Sequence, residues 1–365
     1  MFQGENRAAH ARVAMVQRGY RPSKNVLPSV QLAGTCPNCQ CGTSVPVKKD
    51  GRTIGFGGPV RDSCKVTREN HVCGGTRQVV EGVRTGVGLA LGGGFARGFA
   101  HLGVLRVLEE NRIPVTHIAG SSVGSILGAA YASGAPLGRI VTCCKGLKFK
   151  DIARWRVSRL GLASNQRLAG LIEGVFESRQ FEDLRIPVAV VATDLTSGDP
   201  VVFTQGNLVD AIRASCAFPG LFEPVEIGTR CLADGGLVAS VPTRAARAIG
   251  ASIVVGVSVG MHDGYRGAPT NVFQVVSRAV SAAQKHQTEL WERHADLILR
   301  PDVQMLAWDD FARAEEAIEA GATAARRALP RIKKLLGGAA PDAAANAAKV
   351  EEEDKAYLWL AETLR

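Results

Sequence analysis

From Thr85 onward the chain alternates short apolar runs with longer segments whose apolar residues recur every three or four positions. Short β-branched or leucine-rich runs bounded by glycine read as buried strands, and the periodic segments read as helices packed on them. The first run, Val87 to Leu91, passes through a glycine cluster into a segment with Phe99, Leu102, Leu105 and Leu108 on one helical face. A second unit repeats the order: Val115 to Ala119, a turn at Gly120 to Gly124, then a small-residue helix ending near Gly134, where glycine suits a C-terminal cap. Further strands are predicted at Pro187 to Ala192, Val201 to Thr204, Val225 to Ile227, Arg230 to Ala233, Ile253 to Val259 and Asp296 to Leu299. Helices are predicted near 207–216, 242–249, 270–293 and 308–336. This alternation predicts an α/β domain over 85–337, with a largely parallel central sheet and helices on both faces.

The two ends follow neither period. Residues 1–84, rich in Gly, Pro, Asn, Arg and Lys, read as a basic, disordered extension. Residues 338–365 read as an Ala-rich linker, Ala339 to Ala348, leading to a short amphipathic helix with Leu358, Trp359, Leu360 and Leu364. At 365 residues, 46% hydrophobic and 21% charged, the composition is that of a globular protein. The formal charge of +10 is unevenly placed, because residues 1–85 hold 13 Lys/Arg against 5 Asp/Glu. Basicity is thus mostly a property of the tail. Its Tyr20 and Phe56 form no stacking platform, so no nucleic-acid partner is expected.

No run approaches the roughly 20 apolar residues of a membrane span. Glu5, Arg7, Arg12 and Arg18 stand where a secretory signal would be apolar, so a cytoplasmic location is expected. The nine cysteines are odd in number, and Cys143, Cys144, Cys216 and Cys231 sit in apolar segments, so no disulfide framework is expected. Cys36, Cys39, Cys41, Cys64 and Cys73 begin with a CxxC, but no second pair follows and His71 is the nearest histidine. Neither metal nor cofactor is expected, and nothing in the pattern specifies an oligomeric state.

Gly120-Ser121-Ser122-Val123-Gly124 is a GxSxG placed directly after a predicted strand and directly before a helix. A sharp turn there would lift the Ser122 hydroxyl clear of the sheet, with Gly120 and Gly124 leaving room for the elbow. The plainer reading, a glycine turn with serines capping a helix, holds for an isolated GxSxG. Two further elements stand with it. Gly92-Gly93-Gly94-Phe95-Ala96-Arg97-Gly98 also joins a strand to a helix and would present backbone amides to a negative charge. It departs from a dinucleotide fingerprint, since Arg97 takes the third glycine position, and no Gly-Lys-Ser/Thr follows for a phosphate loop. Asp234-Gly235-Gly236 follows a predicted strand, and all three elements are expected at strand carboxyl ends, where open α/β sheets bind ligands.

These three ordered motifs, with Ala214-Ser215-Cys216-Ala217-Phe218-Pro219-Gly220 between the second and third, resemble the patatin-like phospholipases, most closely their compact bacterial members. The resemblance runs from about Val87 to Pro330. It implies a three-layer sandwich and a metal-free Ser122/Asp234 dyad that hydrolyses a lipid or other ester, of phospholipase A or lysophospholipase type. It also implies an oxyanion hole built from Gly92, Gly93, Gly94, Phe95, Arg97 and Gly98, with amides around Gly93, Gly94 and Phe95 as donors and Arg97 ordering the loop. Three alternatives stay open: an acyltransferase, a catalytically idle lipid-binding regulator, and a Ser-His-Asp esterase using Asp194 or Asp234 with His262, His286 or His294. His101, on the helix after the glycine cluster, reads as a packing residue.

Residues 139–167 hold Arg139, Lys145, Lys148, Lys150, Arg154, Arg156, Arg159 and Arg167 against the single acid Asp151, with Leu147, Phe149, Ile152, Trp155 and Leu160 interspersed. Such a stretch would suit either an interfacial lid touching an anionic membrane surface or a solvated basic face over ordinary core.

Overall fold

The computed structural model describes residues 86–156, 158–260 and 267–338. All lie in the second of two units into which the chain divides, Gln78–Arg365. Both expected tails, with the Cys36–Cys73 cluster, His71 and His262, fall outside the described residues.

In chain order the elements are β1 (Val87–Leu91), α1 (Ala100–Glu110), β2 (Val115–Ser121), α2 (Val123–Ala132), α3 (Leu137–Gly146), α4 (Phe149–Ile152), β3 (Arg154–Trp155) and β4 (Ala163–Ser164). Next come α5 (Arg167–Val175), β5 (Val188–Asp194), β6 (Pro200–Phe203), α6 (Leu208–Ser215), β7 (Val225–Ile227), β8 (Arg230–Asp234) and α7 (Thr243–Ala248). The last five are β9 (Val254–Val257), α8 (Val272–His286), α9 (Thr288–Glu292), β10 (Leu297–Leu299) and α10 (Ala314–Gly337).

Eight strands form the main sheet, in the order β10-β9-β1-β2-β5-β8-β7 with β6 also on β5. From β10 to β5 the pairings are parallel, and β1 and β5 are buried along their whole length, as expected of strands covered on both faces. The sheet is mixed, however, because β6, β7 and β8 pair antiparallel.

Side chains alternate across β1 and sort the core into two layers. Val87, Leu89 and Leu91 face a large cluster with Leu102 and Leu105 of α1, Leu127 of α2 and Ile318 of α10. Ala90, with Ala119 and Ala189, faces a thinner layer built on Ala245 and Ala246 of α7 and Trp291 of α9. Alanine on that face lets α7 sit close to the sheet. Together these layers and the sheet make the three-layer α/β sandwich.

Two expectations need correction. The periodic segment 270–293 is two helices, broken at Gln287. Phe273, Val276 and Val280 of α8 pack on the large cluster, whereas Trp291 of α9 fills the thin layer, and one straight helix cannot reach both. The basic stretch after α2, read without regular elements, folds as α3, α4, the β3–β4 hairpin and α5. These pieces are short and bury few residues each, so their periodicity is faint: α3 buries only Ile140 and Cys144.

Candidate active site

β2 ends at Ser121 and α2 begins at Val123, so the reversal falls on Ser122 alone. Its backbone takes φ 53°, ψ −127°, a left-handed conformation that a non-glycine residue holds at a cost of about 1–3 kcal/mol. The turn is tight enough to require its glycines: a Cβ on Gly120 would stand 2.4 Å from Ser125 Cα, and one on Gly124 would stand 2.1 Å from the Leu91 carbonyl oxygen. Buried hydrogen bonds hold the strained residue. The Ser122 amide donates to Ser215 Oγ at 2.8 Å, whose own hydroxyl donates to the Val191 carbonyl at 2.6 Å. On either side, the Ser121 hydroxyl donates to the Ala239 carbonyl and the Ser125 hydroxyl to the Ser122 carbonyl.

The carboxylate arrives by an unexpected route. Gly120 of β2 and Phe203 of β6 both pair with Val190, so β2 and β6 flank β5 on opposite edges. Val201 of β6 and Asp234 of β8 both pair with Ala192, which places β8 on the same edge as β2. β2 and β8 therefore run toward each other along one side of β5. Ser121 pairs with Val191 and Asp234 with Ala192, so the carboxyl ends of the two strands meet head to head. The position expected from a parallel sheet is reached by an antiparallel strand.

At that junction the Ser122 hydroxyl donates to Asp234 Oδ2 at 2.7 Å, while Oδ1 accepts from the Gly236 amide at 2.7 Å. The backbone of Asp234 is fixed as well: its amide donates to the Ala217 carbonyl at 3.0 Å, and its carbonyl accepts from the Thr193 hydroxyl at 2.8 Å. Gln284 of α8 donates to the Gly236 carbonyl at 2.7 Å and steadies the turn. Gly235 is confined by close approach, since a Cβ there would lie 1.9 Å from the Val191 carbonyl oxygen. Burial pushes the Asp234 carboxyl up to about 6, against the opposing pull of the hydrogen bonds from Ser122 and Gly236. The same burial, with the charge of Asp234 beside it, raises the Cys216 thiol, which remains a neutral wall of the site.

The glycine loop lies alongside, with a Cβ on Gly93 coming within 3.2 Å of Ser122 Cβ. Its amides divide sharply. Those of Gly92 and Gly93 donate to the Val257 and Ser240 carbonyls at 3.1 and 3.2 Å, and those of Ala96 and Arg97 to the Trp308 and Gly94 carbonyls. The amides of Gly94 and Phe95 have no acceptor among the described residues, and Phe95 sits at φ 51°. The expected set of loop donors thus narrows to two. The remaining members of the set pack or tether: Gly98 lies against Val123, where a Cβ would meet Cγ1 at 2.2 Å, and Arg97 Nε donates to the Leu306 carbonyl at 2.8 Å. His101, expected as a packing residue, is fully buried and also bonds the loop, its Nε2 donating to the Gly92 carbonyl at 2.8 Å. Burial lowers this histidine to about 4, and Nδ1 is buried without a hydrogen-bond partner. A histidine in the otherwise apolar first turns of α1, nine residues past the first loop glycine, was the available signal.

Below Ser122 opens a pocket walled by apolar side chains, among them Ile126, Leu127, Ile140, Leu168, Ile172 and Phe222, with Phe95 and Cys216 beside the serine. Two of the three histidine alternatives, His286 and His294, lie within the described residues. Ser122 Oγ is paired with Asp234, and Asp194 accepts from the Thr196 amide with Arg230 3.8 Å away. His286 closes α8, and His294 borders a separate surface depression with Val241 and Trp291.

Comparison with known proteins finds that residues 89–247 match the family model described as patatin-like phospholipase. An uncharacterized NTE family protein of Mycobacterium tuberculosis (strain H37Rv) is 37% identical over 176 residues, which is 47% of this chain and 49% of that protein. Patatin-like phospholipase domain-containing protein 6 of Homo sapiens is 33% identical over 190 residues, 48% of this chain and 14% of that protein. The chain thus spans about half the length of the mycobacterial relative and a small part of the human one. Among solved structures, VipD from Legionella pneumophila aligns with a TM-score of 0.46 at 14% identity, over 68% of this chain and 67% of that one.

Proposed function

We propose that this chain, which belongs to the patatin-like phospholipase family, is a lipid acyl hydrolase of phospholipase A or lysophospholipase type working through Ser122 and Asp234. The observation that carries the reading is the 2.7 Å hydrogen bond from the Ser122 hydroxyl to a fully buried carboxylate at the head of an apolar pocket. Neither part alone would suffice. A Ser–Asp contact is common in folded proteins, and an apolar pocket binds many ligands, but a hydroxyl paired with a buried carboxylate and opening onto an apolar pocket suits hydrolysis of an apolar ester.

In the first half-reaction Ser122 Oγ attacks the ester carbonyl carbon while its proton passes to Asp234 Oδ2. The carbonyl π pair moves onto oxygen, where the unengaged Gly94 and Phe95 amides would receive it. Collapse of the tetrahedral species breaks the bond to the alcohol oxygen, which takes the proton from Asp234 and leaves an acyl-Ser122 ester. In the second half-reaction water gives its proton to Asp234 as it attacks that ester, and Ser122 departs with the proton returned. A carboxyl raised to about 6 is a better base than an ordinary aspartate yet remains ionised at neutral pH. The two loop donors carry much of the barrier, since loss of one such donor typically costs about 3 kcal/mol.

The test is hydrolysis of p-nitrophenyl butyrate and a lysophospholipid by the wild-type chain beside Ser122→Ala and Asp234→Asn, with folding checked by circular dichroism. Both variants are expected to lose turnover by at least a thousandfold, and a fluorophosphonate probe is expected to label the wild type but not Ser122→Ala. Turnover surviving in a folded Asp234→Asn protein would place the base elsewhere.

A further inference from the structure

Away from Ser122 and Asp234, the segment from α3 to α5 carries an uneven surface. Of its eight cations, Arg139 pairs with Glu177 at 2.8 Å and Lys145 pairs with Glu315. The other six (Lys148, Lys150, Arg154, Arg156, Arg159 and Arg167) are exposed and have no acidic partner among the described residues. The one acid within residues 139–167, Asp151, accepts from the Lys148 backbone amide at 2.9 Å and offsets little of this charge. A merely solvated basic face has no reason to hold large apolar side chains in water, yet Trp155 is 65% exposed and Leu160 67% exposed among these cations.

Trp155 is also joined by ring contacts to Phe95, which lines the pocket. The Trp155 ring packs on Phe149 at 5.7 Å between centroids, Phe149 on Trp308 at 6.0 Å, and Trp308 at 5.1 Å on Phe95 of the glycine loop. Two more exposed apolar residues border the same aromatic cluster. Met305, 78% exposed, precedes the Leu306 whose carbonyl holds Arg97, and Val272, 80% exposed, precedes the Phe273 that packs on Trp308 at 4.9 Å. No described helix is long and apolar enough to cross a membrane.

We propose that this face docks on an anionic bilayer, with the six cations in the headgroup layer and Trp155, Leu160, Met305 and Val272 entering the acyl boundary, which turns the pocket mouth toward lipid. Cationic side chains interleaved with apolar ones match the charge and the layering of such a surface. The proposal rests on the lipid-hydrolase reading for the route of the substrate, but the docking does not depend on turnover.

The experiment is co-sedimentation of the full chain carrying Ser122→Ala with phosphatidylcholine vesicles, with and without one part in four of phosphatidylglycerol. The expected result is binding that needs the anionic lipid and weakens as salt is raised. Neutralising Lys150, Arg156 and Arg159 to glutamine should weaken it about a hundredfold, roughly fivefold per charge, and Trp155→Ser with Leu160→Ser should weaken it at least tenfold. Absence of binding, equal binding to neutral vesicles, or unchanged binding after neutralisation would each overturn the proposal, the last because the attraction would then lie elsewhere on the chain. The same substitutions in the chain with Ser122 intact should leave p-nitrophenyl butyrate turnover unchanged, which establishes folding. A wild type that binds vesicles but hydrolyses nothing would refute the hydrolase reading and leave the docking standing.

Discussion

Replacing Asp234 with asparagine should remove activity and, at alkaline pH, make the protein more stable. A carboxyl whose value rises from 3.8 to about 6 on folding holds its proton more tightly in the native chain than in the unfolded one. The native state therefore binds more protons between those values, and stability falls as pH rises through that window. Above about pH 6 the ionised, buried carboxylate costs the fold about 3 kcal/mol; below about pH 4 both states are protonated and the cost disappears. Asparagine has nearly the same shape and carries no charge. Its Oδ1 can still accept from the Gly236 amide, but the Ser122 hydroxyl loses its acceptor, which returns about 1 kcal/mol. The net gain for Asp234→Asn at pH 8 is then about 2 kcal/mol, or roughly 4–8 °C in melting temperature for a domain of this size. The assay is thermal or urea unfolding of wild type and variant at pH 8 and pH 4, scored as the difference between the two differences. A variant less stable than wild type at pH 8, or a gain of equal size at both pH values, would refute the reasoning that burial of charge governs this site.

The same carboxyl predicts that kcat/KM toward a soluble ester rises with one proton through about pH 6 and flattens above pH 7, and a profile level from pH 5 to 8 would exclude Asp234 as the base. Ser215→Ala should cost about 2–3 kcal/mol in urea unfolding, because it leaves the Ser122 amide and the Val191 carbonyl buried without partners. Activity should fall in the same variant, chiefly in kcat, since the elbow is loosened rather than the pocket. His101→Leu should lower kcat about tenfold by releasing the Gly92 carbonyl, whereas His101→Gln, which can still donate to it, should recover most of the loss with the pH profile unmoved.

What was legible in the chain was local. A GxSxG between a strand and a helix, a glycine loop between another pair, and an Asp-Gly-Gly after a third strand each declare a sharp turn within a few residues, which is enough to pick out Ser122, Asp234 and the loop from Gly92 to Gly98 as candidates. What was not legible depended on pairings distant in sequence. The argument from strand carboxyl ends presumed that β8 ran parallel to β2, whereas it runs against it and reaches Ser122 only because both share one edge of β5. Two adjacent β5 residues set that meeting: Val191 pairs with Ser121, and Ala192 pairs with Asp234. A slip of one residue in β8 would move the carboxylate by about 3.3 Å and turn it to the opposite face of the sheet, more than a 2.7 Å hydrogen bond can tolerate. The register must therefore be pinned by groups around the two residues. Thr193 holds the Asp234 carbonyl, Ala217 holds its amide, and Ser215 spans from Val191 to Ser122, so β5 and the stretch from Ala214 to Ala217 together fix Ser122 and Asp234. The pairing of Ser122 with Asp234 is in this sense a property of β5, a strand that contains neither residue.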